Sequence, residues 1–172
     1  GLWYYTFHDD PVNGHLVEWY SNGQVRTEQN YKEGKRDGIF TEWDEQGNII
    51  KQTTYSNKQK MSEGTYREGK RDGLFIKWHK NGQKKIEVIY KAGKLDGSFT
   101  EWYSNGRKKV ESNYKGGKQD GLLRAWHENG QKKKEGSYRN NKQDGSWTYY
   151  DKSGEKKLGY VYKDGKAVRV FS

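Results

Sequence analysis

One segment of the chain has the spacing of a phosphate-binding loop. Residues 64–71 read GTYREGKR and match seven of the eight positions of G-x-x-x-x-G-K-[ST]. In that motif backbone N–H groups hold the nucleotide phosphates and the final hydroxyl binds Mg²⁺. Here the final position is Arg71, and an Asp-Gly pair and a strand pattern follow where the motif requires a helix. The sequence therefore predicts no nucleotide site and no cofactor.

The other residue types that could do chemistry repeat at fixed spacings along the chain and are not expected to meet at one site. Of the four histidines, His79 and His127 hold equivalent positions two repeats apart, which places them ~20 Å from each other along a sheet. The repeated carboxylates lie in one kind of turn, where Asp is favoured by backbone geometry; they are Asp37, Asp72, Asp96, Asp120 and Asp144. The chain has no cysteine. We predict no catalytic residue, no metal site and no enzymatic activity.

The recurrence itself has a period of 24 residues. A glycine opens each unit at Gly14, Gly38, Gly73, Gly97, Gly121 and Gly145. An aromatic residue follows five positions later, at Trp19, Trp43, Trp78, Trp102, Trp126 and Tyr150, and a tyrosine closes each unit. Periods of this length indicate a repeat architecture.

Two turn signals divide each unit into two strands. Asn-Gly pairs at 22–23, 81–82, 105–106 and 129–130 predict two-residue hairpin turns in which both residues have positive φ. A Gly-Lys-x-Asp-Gly stretch then reverses the chain into the next unit. We expect an all-β fold, an elongated, single-layer antiparallel meander of hairpins with 14 or 15 strands and no helix.

One spacing of 35 residues interrupts the period. It equals one unit plus a strand, because QKMSEGTY at Gln59–Tyr66 resembles QKKKEGSY at Gln131–Tyr138. We expect one continuous array over residues 1–172, with a possible seam at 57–66. GLWYY at residues 1–5 resembles GSWTYY at 145–150, so we expect the sequence to begin inside the array.

The expected register assigns each residue to one side of the sheet. The Phe or Leu two residues after the opening glycine shares a packed face with the closing tyrosines. The other face carries the tryptophans, paired across the hairpin with basic residues: Trp19 with Arg26, Trp78 with Lys85, Trp102 with Lys109 and Trp126 with Lys133, while Trp43 meets Ile50. These indoles could thicken a thin sheet, recognise an extended partner, or form an oligomer contact.

Composition sets two further limits. Leu, Ile, Val and Phe total only 26 residues, whereas aromatic residues make up 15% of the chain, which indicates rings packed on a thin β scaffold. Residues 1–66 hold 7 Lys/Arg and 10 Asp/Glu, a net charge of −3, and residues 67–172 hold 26 and 13, a net charge of +13. This difference in net charge between the two parts of the chain is the global electrostatic feature that is relevant to a partner.

With its tyrosine, Gly-Lys-x-Asp-Gly, aromatic and Asn-Gly signals, the chain resembles the MORN (membrane occupation and recognition nexus) repeat proteins, and most closely the variant repeats of bacterial proteins. The resemblance covers about residues 13–165. It implies an elongated sheet that acts through surface contacts. Similar bacterial proteins are frequently labelled antitoxin-like.

These observations predict a non-enzymatic scaffold that binds another protein and has no small-molecule substrate. The candidate partner-binding face comprises Trp78, Trp102, Trp126, Lys85, Lys109 and Lys133. Two alternatives stay open at this point. The basic half, residues 67–172, could bind an anionic membrane lipid or a nucleic acid, or the protein could neutralise a partner as an antitoxin does.

Overall fold

The computed structural model describes residues 13–171 and places their strands in one antiparallel sheet. The expected all-β meander of tandem hairpins is confirmed, and no helix occurs among the described residues. The sequence match at residues 1–5 lies outside them. The strands are β1 (Gly14–Trp19), β2 (Val25–Lys32), β3 (Lys35–Arg36), β4 (Gly38–Trp43), β5 (Ile49–Ser56), β6 (Gln59–Arg67), β7 (Lys70–Trp78), β8 (Lys84–Lys91), β9 (Lys94–Trp102), β10 (Lys108–Lys115), β11 (Lys118–Trp126), β12 (Lys132–Arg139), β13 (Lys142–Tyr150), β14 (Lys156–Lys163) and β15 (Lys166–Phe171).

The Asn-Gly turns differ from the expected two-residue type. Only the glycine has positive φ, as at Gly106 with φ 82°. The Gly106 N–H donates to the Tyr103 carbonyl at 3.0 Å, and the Tyr103 N–H donates to the Arg107 carbonyl at 2.9 Å. This pattern describes a three-residue loop, a type I turn followed by a glycine bulge.

The two-residue turns with positive φ at both positions lie between units instead. In the turn that joins β8 to β9, Ala92 has φ 48° and Gly93 has φ 81°. Lys91 pairs with Lys94 on either side of this turn.

One side of β7 to β13, which we call the ring face, carries the packed residues. It holds Phe75, Phe99, Leu123 and Trp147 together with the closing tyrosines, as the sequence predicted. Trp147 is fully buried, and its ring lies over Gly136 so closely that a Cβ there would approach it to 2.2 Å. Leu123 lies between Ser112 and Gly136. From β10 to β13, large residues thus alternate with small ones from strand to strand.

The inserted strand β6 inverts the sides of the sheet. Glu63 lies opposite Thr53, which pairs with Phe40. The next residue, Gly64, lies opposite Phe75. Consecutive residues of a strand point to opposite sides. Phe40 and Phe75, at equivalent positions in their units, therefore lie on opposite sides of the sheet.

The two kinds of turn also change edges at β6, because the insertion adds a single strand. A Cβ on Gly82, in the turn between β7 and β8, would lie 4.0 Å from Gln59 at the start of β6. That Asn-Gly turn thus lies on the edge that holds the between-unit turn of residues 56–59. Units before and after β6 are related by a half-turn about the long axis of the array.

Candidate functional site

The three candidate tryptophans lie on one side of the sheet, which we call the tryptophan face. Trp78, Trp102 and Trp126 end β7, β9 and β11 near the same edge, and each is half-buried. The inversion at β6 places Trp43 on the ring face instead, so the six equivalent aromatic positions do not form one continuous row.

The expected tryptophan–lysine pairs are wrong by one residue. Trp78 pairs with Lys84, Trp102 with Lys108 and Trp126 with Lys132. Trp19 and Trp43 likewise meet Val25 and Ile49 rather than Arg26 and Ile50. The reason is the three-residue Asn-Gly loop. The extra loop residue shifts the partner of the tryptophan by one position. A bulge then restores the expected register, so that Glu101 pairs with Val110 as predicted.

The three lysines of the predicted site therefore do not pair with the tryptophans. Lys85 and Lys133 are exposed. Lys109 turns to the other side of the sheet, where its Nζ lies 2.8 Å from Glu101 and 5.8 Å from the centre of the Tyr103 ring. The hydrogen bond to Glu101 raises the pKa of Lys109, and burial opposes this shift.

Lysines and aromatic rings alternate along the tryptophan face from β6 to β15. Four lysine Nζ atoms lie over the ring of the next unit, at distances to the ring centre of 5.5 Å for Lys60 and Trp78, 5.9 Å for Lys84 and Trp102, 5.4 Å for Lys132 and Tyr150, and 4.6 Å for Lys156 and Phe171. We call this the lysine–aromatic row. Such contacts stabilise by about 0.5–1 kcal/mol each when exposed.

Four lysines of the tryptophan face, which are three lysines of the row and Lys108, each form an ion pair with the glutamate three residues later. The ion pairs are Lys60–Glu63, Lys84–Glu87, Lys108–Glu111 and Lys132–Glu135. The hydrogen bond from Lys132 lowers the pKa of Glu135, partial burial opposes this, and a hydrogen bond from Tyr150 adds to it. The row is consequently aromatic and nearly neutral, in spite of the basic composition around it.

Exposed aliphatic residues lie beside the row. Leu74 and Ile89 pair across β7 and β8 and are 45% and 37% exposed, and Leu122 on β11 is 42% exposed. A shallow depression on this face lies next to Leu122 and Arg124. The indoles and these exposed side chains lie together on the tryptophan face.

The residues that could have done chemistry have structural roles. Each repeated Asp except Asp144 accepts a backbone N–H from the turn twenty residues later, as Asp96 does from Gly116 at 3.0 Å. His79 Nε2 lies 3.0 Å from the Trp102 carbonyl, and His127 Nε2 lies 3.2 Å from that of Tyr150. The sequence did not reveal these contacts between units, although their constant spacing of 20 or 23 residues was a usable signal.

The loop-like segment 64–71 runs from β6 through a turn into β7, with no helix to complete a nucleotide site. Residues 13–171 contain no group of three or more His, Asp or Glu side chains arranged to hold a metal ion. They also contain no helix that could span a membrane.

The geometry defines a class, the tandem β-hairpin repeat proteins, in which each unit contacts only its neighbours. The family model described as MORN repeat variant matches residues 12–33, 36–57, 71–92, 95–115 and 119–140. The chain belongs to this family of MORN repeat proteins. MORN repeats are in general non-enzymatic modules that interact with proteins or membranes. A comparison with curated proteins found no match.

Proposed function

We propose that this chain is a non-enzymatic module that docks another protein on the tryptophan face of residues 67–172. The observation that carries the proposal is the alignment of Trp78, Trp102 and Trp126 on one side and near one edge. Buried aromatic anchors dominate protein interfaces. The exposed Leu74 and Ile89 extend the same surface.

Charge defines the kind of partner. Residues 67–172 carry a net charge of +13. Lys85 and Lys133 are exposed next to the Asn-Gly turns and form no ion pair within residues 13–171. A partner with apolar side chains flanked by Asp and Glu would complement this surface, whereas a basic partner would be repelled.

The neutral row argues against the rival ligands on this face. A lipid headgroup or nucleic acid phosphate would have to compete with Glu87, Glu111 and Glu135 for the lysines of the row. An antitoxin-like role is a special case of docking, in which the bound protein is a toxin.

The test compares two matched tryptophans on opposite sides of the sheet. A partner captured by residues 13–172 from the native host is purified, and its Kd is measured by calorimetry for Trp102→Ala and for Trp19→Ala. Trp19 is 47% exposed and lies before the inversion, so it is the control. We expect Trp102→Ala to weaken binding at least about tenfold, and Trp19→Ala and Lys109→Ala less than about threefold.

Raising NaCl from about 50 to 300 mM should change the Kd only a few-fold, because anchoring by apolar area is not screened. Equal losses for the two tryptophan variants, or a Kd that follows salt steeply, would refute the docking face. Thermal unfolding of each variant shows whether the sheet has been retained.

A further inference from the structure

The edge of the sheet opposite the Asn-Gly turns of residues 79–155 carries a strip of paired cations. Each between-unit turn from β6 onward places two basic residues directly across from each other, and we call this strip the lysine edge. The pairs are Arg67–Lys70, Lys91–Lys94, Lys115–Lys118, Arg139–Lys142 and Lys163–Lys166.

All ten side chains belong to exposed residues. Within residues 13–171, only Arg67 and Arg139 form ion pairs, with Asp72 at 3.8 Å and Asp144 at 2.9 Å. The eight lysines therefore keep their charge available to a ligand.

The carboxylates of this edge do not cancel the strip. Glu68 and Asp164 lie in the two outermost turns, and the three central turns contain no acidic residue. Asp96 lies behind the turn tips and accepts the Gly116 N–H, and Asp72 and Asp120 accept equivalent backbone donors. The central lysines, Lys91, Lys94, Lys115 and Lys118, thus face solvent without an acidic neighbour at the tip.

Backbone donors of these turns are already used. The Gly93 N–H donates to the Arg71 carbonyl at 2.8 Å, and the Gly117 N–H donates to the Leu95 carbonyl at 2.7 Å. An anion at this edge would meet flexible side chains alone and no preformed backbone nest. Contacts of this kind recognise charge and do not read bases.

The shape of the strip selects among polyanions. Successive turns on one edge lie two strands apart, so five turns extend over at least ~40 Å. Sheets twist by ~20–25° per strand, which makes the edge follow a spiral. A flat membrane would meet only a few turns at once, whereas a flexible chain can follow them all.

We infer that the lysine edge binds a flexible single-stranded chain of phosphate groups, such as a single strand of nucleic acid, without regard to base sequence. This site lies apart from the tryptophan face and does not depend on the docking function proposed above. Inorganic polyphosphate has the same chemistry and is the second source to be tested.

The experiment measures fluorescence anisotropy of labelled oligo(dT) of about 30 nucleotides with the full chain. If each turn neutralises one phosphate, the slope of log K against log salt should be about −3.5. The variant K91Q/K94Q/K115Q/K118Q should lose at least about tenfold in affinity near 50 mM salt and flatten the slope toward about −2.

A matched control removes four lysines elsewhere. K32Q/K58Q/K80Q/K152Q lowers the net charge equally but changes exposed residues on the opposite edge. It should lose less than about threefold. Competition by inorganic polyphosphate but not by duplex DNA or by vesicles rich in phosphatidylserine supports the inference.

Three results would overturn it: equal losses for the two quadruple variants, no binding of oligo(dT) or polyphosphate at low salt, or a preference for vesicles. Retention of oligo(dT) affinity in Trp102→Ala would show that the two sites are separate, so either proposal can fail alone.

Discussion

At the scale of single residues, the packed face depends on matched sizes across strands. Trp147 occupies the space that the missing side chain of Gly136 leaves, whereas one unit earlier the smaller Leu123 faces Ser112. The Trp147 Nε1–H also donates to the Ser137 carbonyl at 3.0 Å. Because the sheet has a single layer, such pairs take the place of a second layer in excluding water.

Replacing Gly136 with Ala should therefore destabilise the protein by about 1–3 kcal/mol, through overpacking against the indole. The double variant G136S/W147L copies the pair Ser112 and Leu123 and should recover part of the loss. Urea unfolding followed by tryptophan fluorescence and circular dichroism measures both. A double variant less stable than G136A would show that the two sizes are not coupled.

Glu135 should make stability depend on pH. Its pKa lies below the ordinary value of 4.5 in the folded protein, mainly because Lys132 donates to it. The stabilising contribution is present above pH 4.5 and is lost as pH falls through the folded-state pKa.

We expect Glu135→Gln to lower the urea midpoint at pH 7 by the equivalent of about 1 kcal/mol or less, with the difference closing below pH 4.5. Glu45→Gln, at an exposed carboxylate without an ion pair in the described chain, is the control. A difference that is the same at pH 3 and pH 7 would contradict the assignment.

At the scale of elements, successive Asn-Gly turns on one edge are joined by side-chain hydrogen bonds. Along the Asn-Gly edge, Tyr103 donates from its hydroxyl to the Trp126 carbonyl at 2.9 Å, and Asn105 donates to the Glu128 carbonyl at 3.2 Å. Asp44 and Asp151 stand at the turn position that is Tyr or His in the other units, and their side chains form no such hydrogen bond with the next described unit. Each carboxylate instead accepts N–H groups of its own turn. The Asn48 N–H lowers the pKa of Asp44 in this way. The pKa of Asp151 is lowered mainly by the Ser153 hydroxyl and by Lys157, with a smaller contribution from the backbone N–H groups.

The inserted strand makes a prediction at this scale. Deleting residues 57–67 restores the 24-residue period and should return all Asn-Gly turns to one edge. Spin labels at Glu45 and Lys80 lie on opposite edges, roughly 30 Å apart for strands of this length. In the deletion variant they should approach to roughly 10–15 Å.

Pulsed electron paramagnetic resonance on double-cysteine variants measures this distance, and the absence of native cysteine keeps the labelling clean. Labels at Ser21 and Glu45, both before the insertion, should keep their separation. An unchanged Glu45–Lys80 distance would mean that β6 does not set the relative orientation of the units.

At the scale of the whole molecule, sequence periodicity was enough to predict the meander, the strand count and the ring face. It was wrong for the units before β6, because Phe40 lies on the side opposite Phe75. It also failed beside the Asn-Gly turns, because Asn-Gly suits both a two-residue turn and a type I turn with a glycine bulge. Only pairing across the strands separates Lys108 from Lys109 as the neighbour of Trp102. The extra strand was visible in the sequence, but its effect on the sides of the sheet required the register of Glu63 and Gly64.

The half-turn at β6 also determines on which side of the sheet each of two bound molecules would lie. Trp43 and Trp102 project from opposite sides of a sheet only one backbone layer thick. Identical ligands held by the units before and after β6 would bind on opposite sides of the sheet, with the sheet itself between them. The sheet would separate ligands bound on its two sides, and moving the insertion by whole units would change how many binding positions lie on each side.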